Sequence, residues 1–184
     1  SAEGACYARM MPHGVDPARI DWARAALPVA SNGVVLDRSG GIVPEHPNDW
    51  ADTERTWQLG RFSGTGWLLI TPQQLERELS YGTIRQTIAY VEHAGARVLS
   101  GSPGSLVPRI ESIVGHELER PARDAAAAAI QAVEVNVGIT HTFGGLAVDP
   151  NGWVTSRPGE PHDVLAAGVD IGGVAIGGYT SGLA

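Results

Sequence analysis

The sequence predicts an α/β fold in which a mixed sheet is flanked by helices. Two observations carry this prediction. Apolar residues recur at helical spacing between residues 73 and 94, and Gly95 then supplies a plausible C-cap. The next stretch, 96–99, has the composition of a short strand, and a helix followed by glycine and a short apolar run is typical of α/β chains. The helical stripe consists of Ile84, Ile88 and Val91.

The first part of the chain predicts one helix and two short strands. A helix follows Asp16 and Pro17, because Asp is a good N-cap and Pro suits the first helical position, and Pro28 ends this helix. After the Asn-Gly turn at 32–33, an apolar strand, a Ser-Gly-Gly turn and a second short strand occupy residues 34–44.

The middle of the chain is less regular. Residues 44–66 are polar and poorly periodic, so we predict an irregular loop, and the glycine-rich turn at 64–66 enters a helix or a strand. A second loop is expected at 102–108, and residues 110–132 predict a helix that Pro121 interrupts. Three tryptophans are expected to lie against the core or to line a cleft: Trp50, Trp57 and Trp67.

Composition and charge limit the classes of function. With 184 residues and 43% hydrophobic residues, the chain can bury the core of one domain or of two small ones. The net charge of −7 and the lack of a basic face make nucleic acid a poor partner. The single Cys6 cannot form an internal disulfide, which fits a reducing cytoplasm.

The chain also lacks the sequence signals of membranes, secretion and zinc. No apolar run approaches the roughly 20 residues that cross a bilayer, so we predict no membrane span. The N-terminus has no long apolar segment, which argues against a signal peptide. Since it also lacks an initiator Met, we expect a processed, trimmed or partial polypeptide. One Cys and scattered His residues provide no zinc-ligand spacing.

The first segment that could carry chemistry is T-H-T-F-G-G at 140–145. A His between two Thr is well placed for control of its tautomer, because a hydroxyl can hold one ring nitrogen. Gly144 and Gly145 let the backbone lie flat against a planar group or turn sharply. Residues 146–149 show the alternation that is typical of a strand. The Pro-Asn-Gly turn that follows predicts that this strand forms a hairpin with residues 153–155. From these residues alone, an ordinary surface or core His beside a tight turn is the better explanation of the segment.

The second segment, 164–173, is an apolar strand that ends in small residues and a Gly-Gly loop. If a helix begins near Tyr179, its free N–H groups favour an anionic or carbonyl-bearing ligand in the loop. The pattern is not a G-x-G-x-x-G dinucleotide fingerprint. A purely structural glycine-rich loop is the alternative.

Taken in order, the motifs are H-T-x-G-G, a strand pair, A-A-G-x-D-x-G-G and G-G-Y-x-S-G. This series, in residues 139–184, resembles the C-terminal signature of the fumarate reductase/3-ketosteroid dehydrogenase family of FAD-dependent oxidoreductases. The resemblance implies that the chain is part of a two-domain flavoprotein fold. It assigns to the flavin Ala167, Gly168, Asp170, Gly172 and Gly173, joined by Gly144, Gly145, Ser181 and Gly182.

The resemblance also implies two catalytic residues. His141 falls on the family's His that binds a substrate carboxylate in fumarate reductases. Tyr179 falls in the G-Y-x-S-G stretch of the steroid-acting members, in which the Tyr and a Gly backbone N–H, here Gly182, bind or protonate a ketone oxygen. Polarisation of that carbonyl acidifies the adjacent C–H, and hydride leaves to the flavin.

Two departures from the family pattern affect the substrate and the cofactor contacts. Fumarate reductases carry an Arg where this chain has Tyr179, and without the bidentate clamp a dicarboxylate substrate is not expected. The family's acidic A-G-E position is Val169 here, with Asp170 one residue later.

The N-terminal FAD-binding region of the family, with its G-x-G-x-x-G, is absent from this sequence, and residues 60–66 imitate it with the wrong spacing. We therefore expect a second polypeptide that carries this region, and a ketone or enoyl substrate. The chain would be a subunit or fragment of a ketosteroid-dehydrogenase-like enzyme that performs dehydrogenation or ene-reduction beside a carbonyl. The alternative is a non-catalytic scaffold subunit. Residues 1–100 would form the substrate side and middle segment, and residues 101–184 a helical segment followed by the FAD-facing strands.

Overall fold

The computed structural model describes residues 6–16, 19–25, 33–44, 51–79, 81–142, 151–157 and 160–165. The chain divides into two compact units. One unit consists of residues 9–138, and the other of residues 1–8 together with 139–184. Residues 101–138 thus fall in the same unit as most of the first hundred residues. The functional division of the chain at residue 100 stays a prediction.

The described residues form helices and strands that are interspersed along the chain. The helices are α1 (Trp22–Ala25), α2 (Ala51–Phe62), α3 (Pro72–Leu75), α4 (Ile84–His93), α5 (Leu106–Val114) and α6 (Arg120–Ala128). The strands are β1 (Cys6–Pro12), β2 (Val34–Asp37), β3 (Thr65–Ile70), β4 (Glu78–Leu79), β5 (Gly82–Thr83), β6 (Val98–Ser100), β7 (Gln131–Thr142), β8 (Trp153–Arg157) and β9 (Glu160–Leu165).

The main sheet has five strands in the order β1-β7-β3-β2, and β6 also pairs with β7. The pairs β2–β3, β3–β7 and β6–β7 are antiparallel. The predicted α/β composition with flanking helices is therefore confirmed. No parallel pair, which a mixed sheet requires, occurs among the pairs whose register the structure describes.

Both faces of the sheet are covered by helices. Successive residues of a strand point to opposite faces, so β3 contributes side chains to a buried cluster on each side. On one face, Leu68 and Ile70 of β3 belong to a buried cluster to which α2, α3 and α4 contribute Leu59, Leu75, Ile84 and Ile88. On the other face, Trp67 and Leu69 belong to a cluster to which α5 and α6 contribute Leu106, Ile110, Ala122 and Ala126. A strand buried on both faces has a nearly continuous apolar sequence, as T-G-W-L-L-I shows.

The helix predicted over 73–94 is shorter than expected, although its apolar stripe is confirmed. Ile84, Ile88 and Val91 are buried on α4. The helix begins only at Ile84, since Gly82 adopts a φ of 115° and Thr83 is the N-cap, accepting a hydrogen bond from the Gln86 amide. The short hairpin β4–β5 fills part of the preceding stretch, and Gly95 directly follows the C-cap Ala94.

The loop predicted at 44–66 contains the twelve-residue helix α2, so that prediction was wrong for 51–62. The buried positions of α2 include Arg55 and Thr56, which hide the apolar stripe by which a helix is recognised in a sequence. The glycine-rich turn at 64–66 leads into a strand, and Trp67 is buried against the core as expected. Of Trp57 only the backbone is described, and Trp50 lies outside the described residues.

The helix predicted over 110–132 is two helices and the beginning of a strand. Gly115 ends α5 with a φ of 85°, and Pro121 lies in the first turn of α6, where a proline is tolerated. Helix α5 begins at Leu106, inside the predicted loop at 102–108. Pro108 does not prevent this, because it lies in the first turn, where backbone amides have no intrahelical partner. Strand β7 was not predicted.

The first helix also starts later than predicted. Helix α1 begins at Trp22, and the Arg24 amide donates to Asp21 Oδ1 at 3.4 Å, so Asp21 rather than Asp16 occupies the capping position. The predicted end at Pro28 lies outside the described residues. The strand at 34–37 is confirmed as β2, and an isolated antiparallel bridge joins Leu36 to Ile42 after the predicted turn.

Candidate functional site

The predicted site lies at the C-terminal side of the chain, and the structure describes one of its residues. His141 is the second-last residue of β7, which runs over twelve residues from Gln131 to Thr142. Its backbone is strand, and its side chain is not described. The other predicted site residues lie outside the described residues: Gly144, Gly145, Ala167, Gly168, Asp170, Gly172, Gly173, Tyr179, Ser181 and Gly182.

Between the two predicted motifs lies the hairpin of β8 and β9. Trp153 pairs with Leu165, Thr155 with Pro161 and Arg157 with Glu160, in antiparallel register with irregularities. A strand at 153–155 is confirmed, whereas the predicted hairpin of 146–149 with 153–155 stays a prediction. The partner of 153–155 is β9 in the described residues, whereas the predicted partner, Leu146 to Asp149, lies outside them.

The hairpin exposes apolar side chains. The exposed fractions are 39% for Trp153, 54% for Val164 and 61% for Leu165. In the described part of the chain, β8 and β9 form a sheet of two strands. Exposed apolar side chains that lie close together often mark a contact surface.

A charged cluster that the sequence analysis did not identify lies in the unit of residues 9–138, around Glu134 of β7. Glu134 Oε1 is 3.7 Å from His13 Nδ1, and Glu134 Oε2 is 3.6 Å from Arg97 Nη1. The Glu134 side chain is 20% exposed, whereas the His13 and Arg97 side chains are about half exposed. The guanidinium carbon of Arg97 also lies 5.3 Å from the centroid of the Trp67 ring, within cation–π range.

The backbone explains why these side chains meet at Glu134. The Glu134 amide donates to the Arg97 carbonyl at 3.0 Å, and the His13 amide donates to the Glu134 carbonyl at 2.8 Å. An N–H and a C=O of one strand residue point to the same neighbour, so β6 and β1 follow one another along one edge of β7. Glu134 marks their junction, and its carboxylate joins the two chain segments.

The cluster is best explained as a stabilising contact. The distances from Glu134 to His13 and to Arg97 both exceed hydrogen-bond distance, so each contact contributes modestly. One sequence signal could have identified it: a single acid inside the apolar alternation A-V-E-V-N-V of β7.

Two further features are absent from the described part of the chain. Within that part, no three His, Cys, Asp or Glu side chains come close enough together to hold a metal ion. None of the helices in those stretches has the length and apolar character needed to span a membrane. The cytoplasmic location inferred from Cys6 stays a prediction.

Comparisons with known proteins find a likeness in structure but none in sequence. No protein-family model matches the chain, and no curated protein sequence matches it. The chain is similar in structure to the open conformation of a flavocytochrome c3 fumarate reductase, with 18% sequence identity and a TM-score of 0.49. The match covers 93% of this chain and 33% of that one, so the chain spans about a third of the length of that reductase. At these values, the likeness demonstrates neither membership of a family nor an activity.

Proposed function

We propose that the chain is a subunit or fragment of an FAD-dependent oxidoreductase that performs dehydrogenation or ene-reduction beside a carbonyl. One observation carries the proposal: the motifs H-T-x-G-G, A-A-G-x-D-x-G-G and G-G-Y-x-S-G occur in this order within residues 139–184. The strands β8 and β9 lie between the first two motifs, in the part of the series where strands are expected.

The glycine-rich motifs supply the groups that a flavin needs. Glycines have no Cβ, so bare backbone can lie against a planar ring, and backbone N–H groups can donate to its oxygens and nitrogens. In the proposal, Ala167, Gly168 and Asp170 contact the cofactor together with the glycine pairs at 144–145 and 172–173 and with Ser181 and Gly182. A bound flavin would supply the hydride acceptor.

The chain's own polar groups would act on the substrate. Tyr179 O–H and the Gly182 N–H would donate hydrogen bonds to a ketone oxygen, which stabilises the negative charge that develops when the neighbouring C–H is broken. His141 would bind a polar group of the substrate. Tyr179 stands where a dicarboxylate-reducing enzyme has an Arg, which favours a ketone or enoyl compound over a dicarboxylate.

We further propose a partner polypeptide. The sequence contains no G-x-G-x-x-G with the spacing of a dinucleotide-binding turn, so another chain or segment would hold the adenine half of FAD. The exposed apolar residues of the β8–β9 hairpin support this proposal, because they need cover. Residues 1–100 would then form the substrate side of the assembly.

The experiment is a pair of substitutions in the complex purified from its natural source strain. Tyr179→Phe removes one hydroxyl donor, and we expect turnover to fall on the order of 10²-fold, as when one oxyanion donor is lost. His141→Ala should raise KM more than it lowers kcat, because His141 binds the substrate. Tyr81→Phe is the matched control, since Tyr81 is 56% exposed on the turn between β4 and β5.

The alternative of a non-catalytic scaffold predicts a different outcome. If Tyr179→Phe and His141→Ala both left turnover equal to that of the Tyr81→Phe control, the chain would complete its partner's fold without touching the chemistry. The catalytic proposal would then be abandoned.

A further inference from the structure

A short segment, residues 19–25, lies on the last turns of α4. It contains the four-residue helix α1, and among its described side chains Ile20 and Ala25 are buried. These two pack in a small cluster with Val91, Ala94 and Ala96. The two large core clusters of the sheet include no residue of this segment.

Tyr90 of α4 holds the segment at two points. The Asp21 amide donates a hydrogen bond to Tyr90 Oη at 2.6 Å. The Arg24 guanidinium carbon lies 4.2 Å from the centroid of the Tyr90 ring, which places a cation over the ring face. One aromatic side chain therefore provides both a hydrogen-bond acceptor and a stacking surface for the segment.

We propose that residues 19–25 form a strap that opens from α4 as a local unit, with Tyr90 as its latch, while the five-stranded sheet stays folded. A helix of four residues has no stability of its own in water, so tertiary contacts must hold it. The segment contributes no strand to the sheet. Segments held by few buried apolar contacts open at a lower free energy than core strands do.

Opening of the strap changes a defined surface. The apolar side chains of Val91, Ala94 and Ala96, buried under the strap, come into contact with water. The strap is thus a conformational device that covers and uncovers the C-terminal end of α4. This inference is independent of the proposed function, because residues 19–25 and α4 contain none of the predicted site residues.

The test is native-state hydrogen exchange measured by mass spectrometry on the full chain. In the unaltered protein, the amides of 20–25 should exchange much faster than those of β3, and low urea concentrations should hardly change that rate, because local opening exposes little surface. Tyr90→Phe keeps the ring and removes the hydroxyl. It should accelerate exchange in 20–25 by roughly two- to tenfold, the effect of one hydrogen bond, and leave β3 unchanged.

Two variants complete the design. Tyr81→Phe removes an exposed hydroxyl elsewhere and should leave exchange in 20–25 unchanged. Arg24→Gln keeps Tyr90 and removes the cation, and it should accelerate exchange in 20–25 by about two- to fivefold. The proposal is overturned if residues 20–25 exchange together with β3 in the unaltered protein, or if neither Tyr90→Phe nor Arg24→Gln accelerates their exchange.

Discussion

Replacement of Gly66 by alanine tests the packing of β2 against β3. Gly66 is the second residue of β3, and a Cβ there would lie 2.1 Å from the Leu36 carbonyl oxygen and 3.0 Å from Leu59 Cδ1. The first distance is far inside van der Waals contact, and the obstacle is the backbone of the paired strand rather than a flexible side chain. Overpacking a core costs about 1–3 kcal/mol when side chains can adjust. Because β2 itself must move here, we expect Gly66→Ala to lower the free energy of unfolding by about 3 kcal/mol.

The matched control is Gly60→Ala, six residues earlier on α2. A Cβ at this exposed helical position would meet Val137 Cγ2 at 3.5 Å, an ordinary contact. Alanine is favoured over glycine in a helix, so this variant should be more stable than the unaltered protein by about 0.5–1 kcal/mol. Urea unfolding followed by tryptophan fluorescence measures both variants, with the midpoint compared at constant m-value. Equal stability of the Gly66→Ala variant and the unaltered protein would refute the reasoning.

Three further substitutions test the core, a helix cap and the charged cluster. Leu68→Ala leaves a cavity in the centre of the sheet and should cost about 2–5 kcal/mol in urea unfolding, and a loss below about 1 kcal/mol would contradict the burial of Leu68. Thr83→Ala removes the oxygen that accepts the Gln86 amide at 3.3 Å; thermal melting should show a loss of about 1 kcal/mol, and an unchanged melting temperature would argue against the cap. Glu134→Gln removes the charge facing His13 and Arg97, and should cost about 1 kcal/mol or less, with a smaller effect at high salt. A salt-independent loss would show that charge is not the cause.

The sequence predicts those elements whose signal is local. The stripe of Ile84, Ile88 and Val91 identifies α4, and the turn residues around 34–41 identify β2. Helix α2 was not predicted from the sequence because Arg55 and Thr56 occupy its buried side, so the buried face is partly polar. Tertiary contacts decide these positions: Arg55 Nη1 donates to the Gly33 carbonyl at 2.7 Å, and no sequence pattern reveals that partner.

Strand β7 shows a second limit of local patterns. The alanine-rich sequence before it favours a helix, and the prediction carried that helix through to residue 132. In the structure, α6 ends at Ala128 and β7 begins at Gln131, because β3 and β6 offer hydrogen-bond partners on both edges. The single acid within the apolar alternation of β7 marks Glu134, but its partners could not be predicted, since His13 and Arg97 are far from it in sequence. The glycine-rich motifs differ from β7 and the cluster in this respect. Their order along the chain is visible in the sequence and is itself the basis of the resemblance to a flavoprotein family.

The most direct test of the proposed function is a gentle purification of the chain with whatever polypeptide accompanies it, followed by an absorbance scan across the flavin bands and mass spectrometry of each component. We expect a yellow complex whose second polypeptide contains a strand followed by G-x-G-x-x-G. A stable, colourless preparation of the assembled protein that takes up no flavin when FAD is added would contradict the proposal.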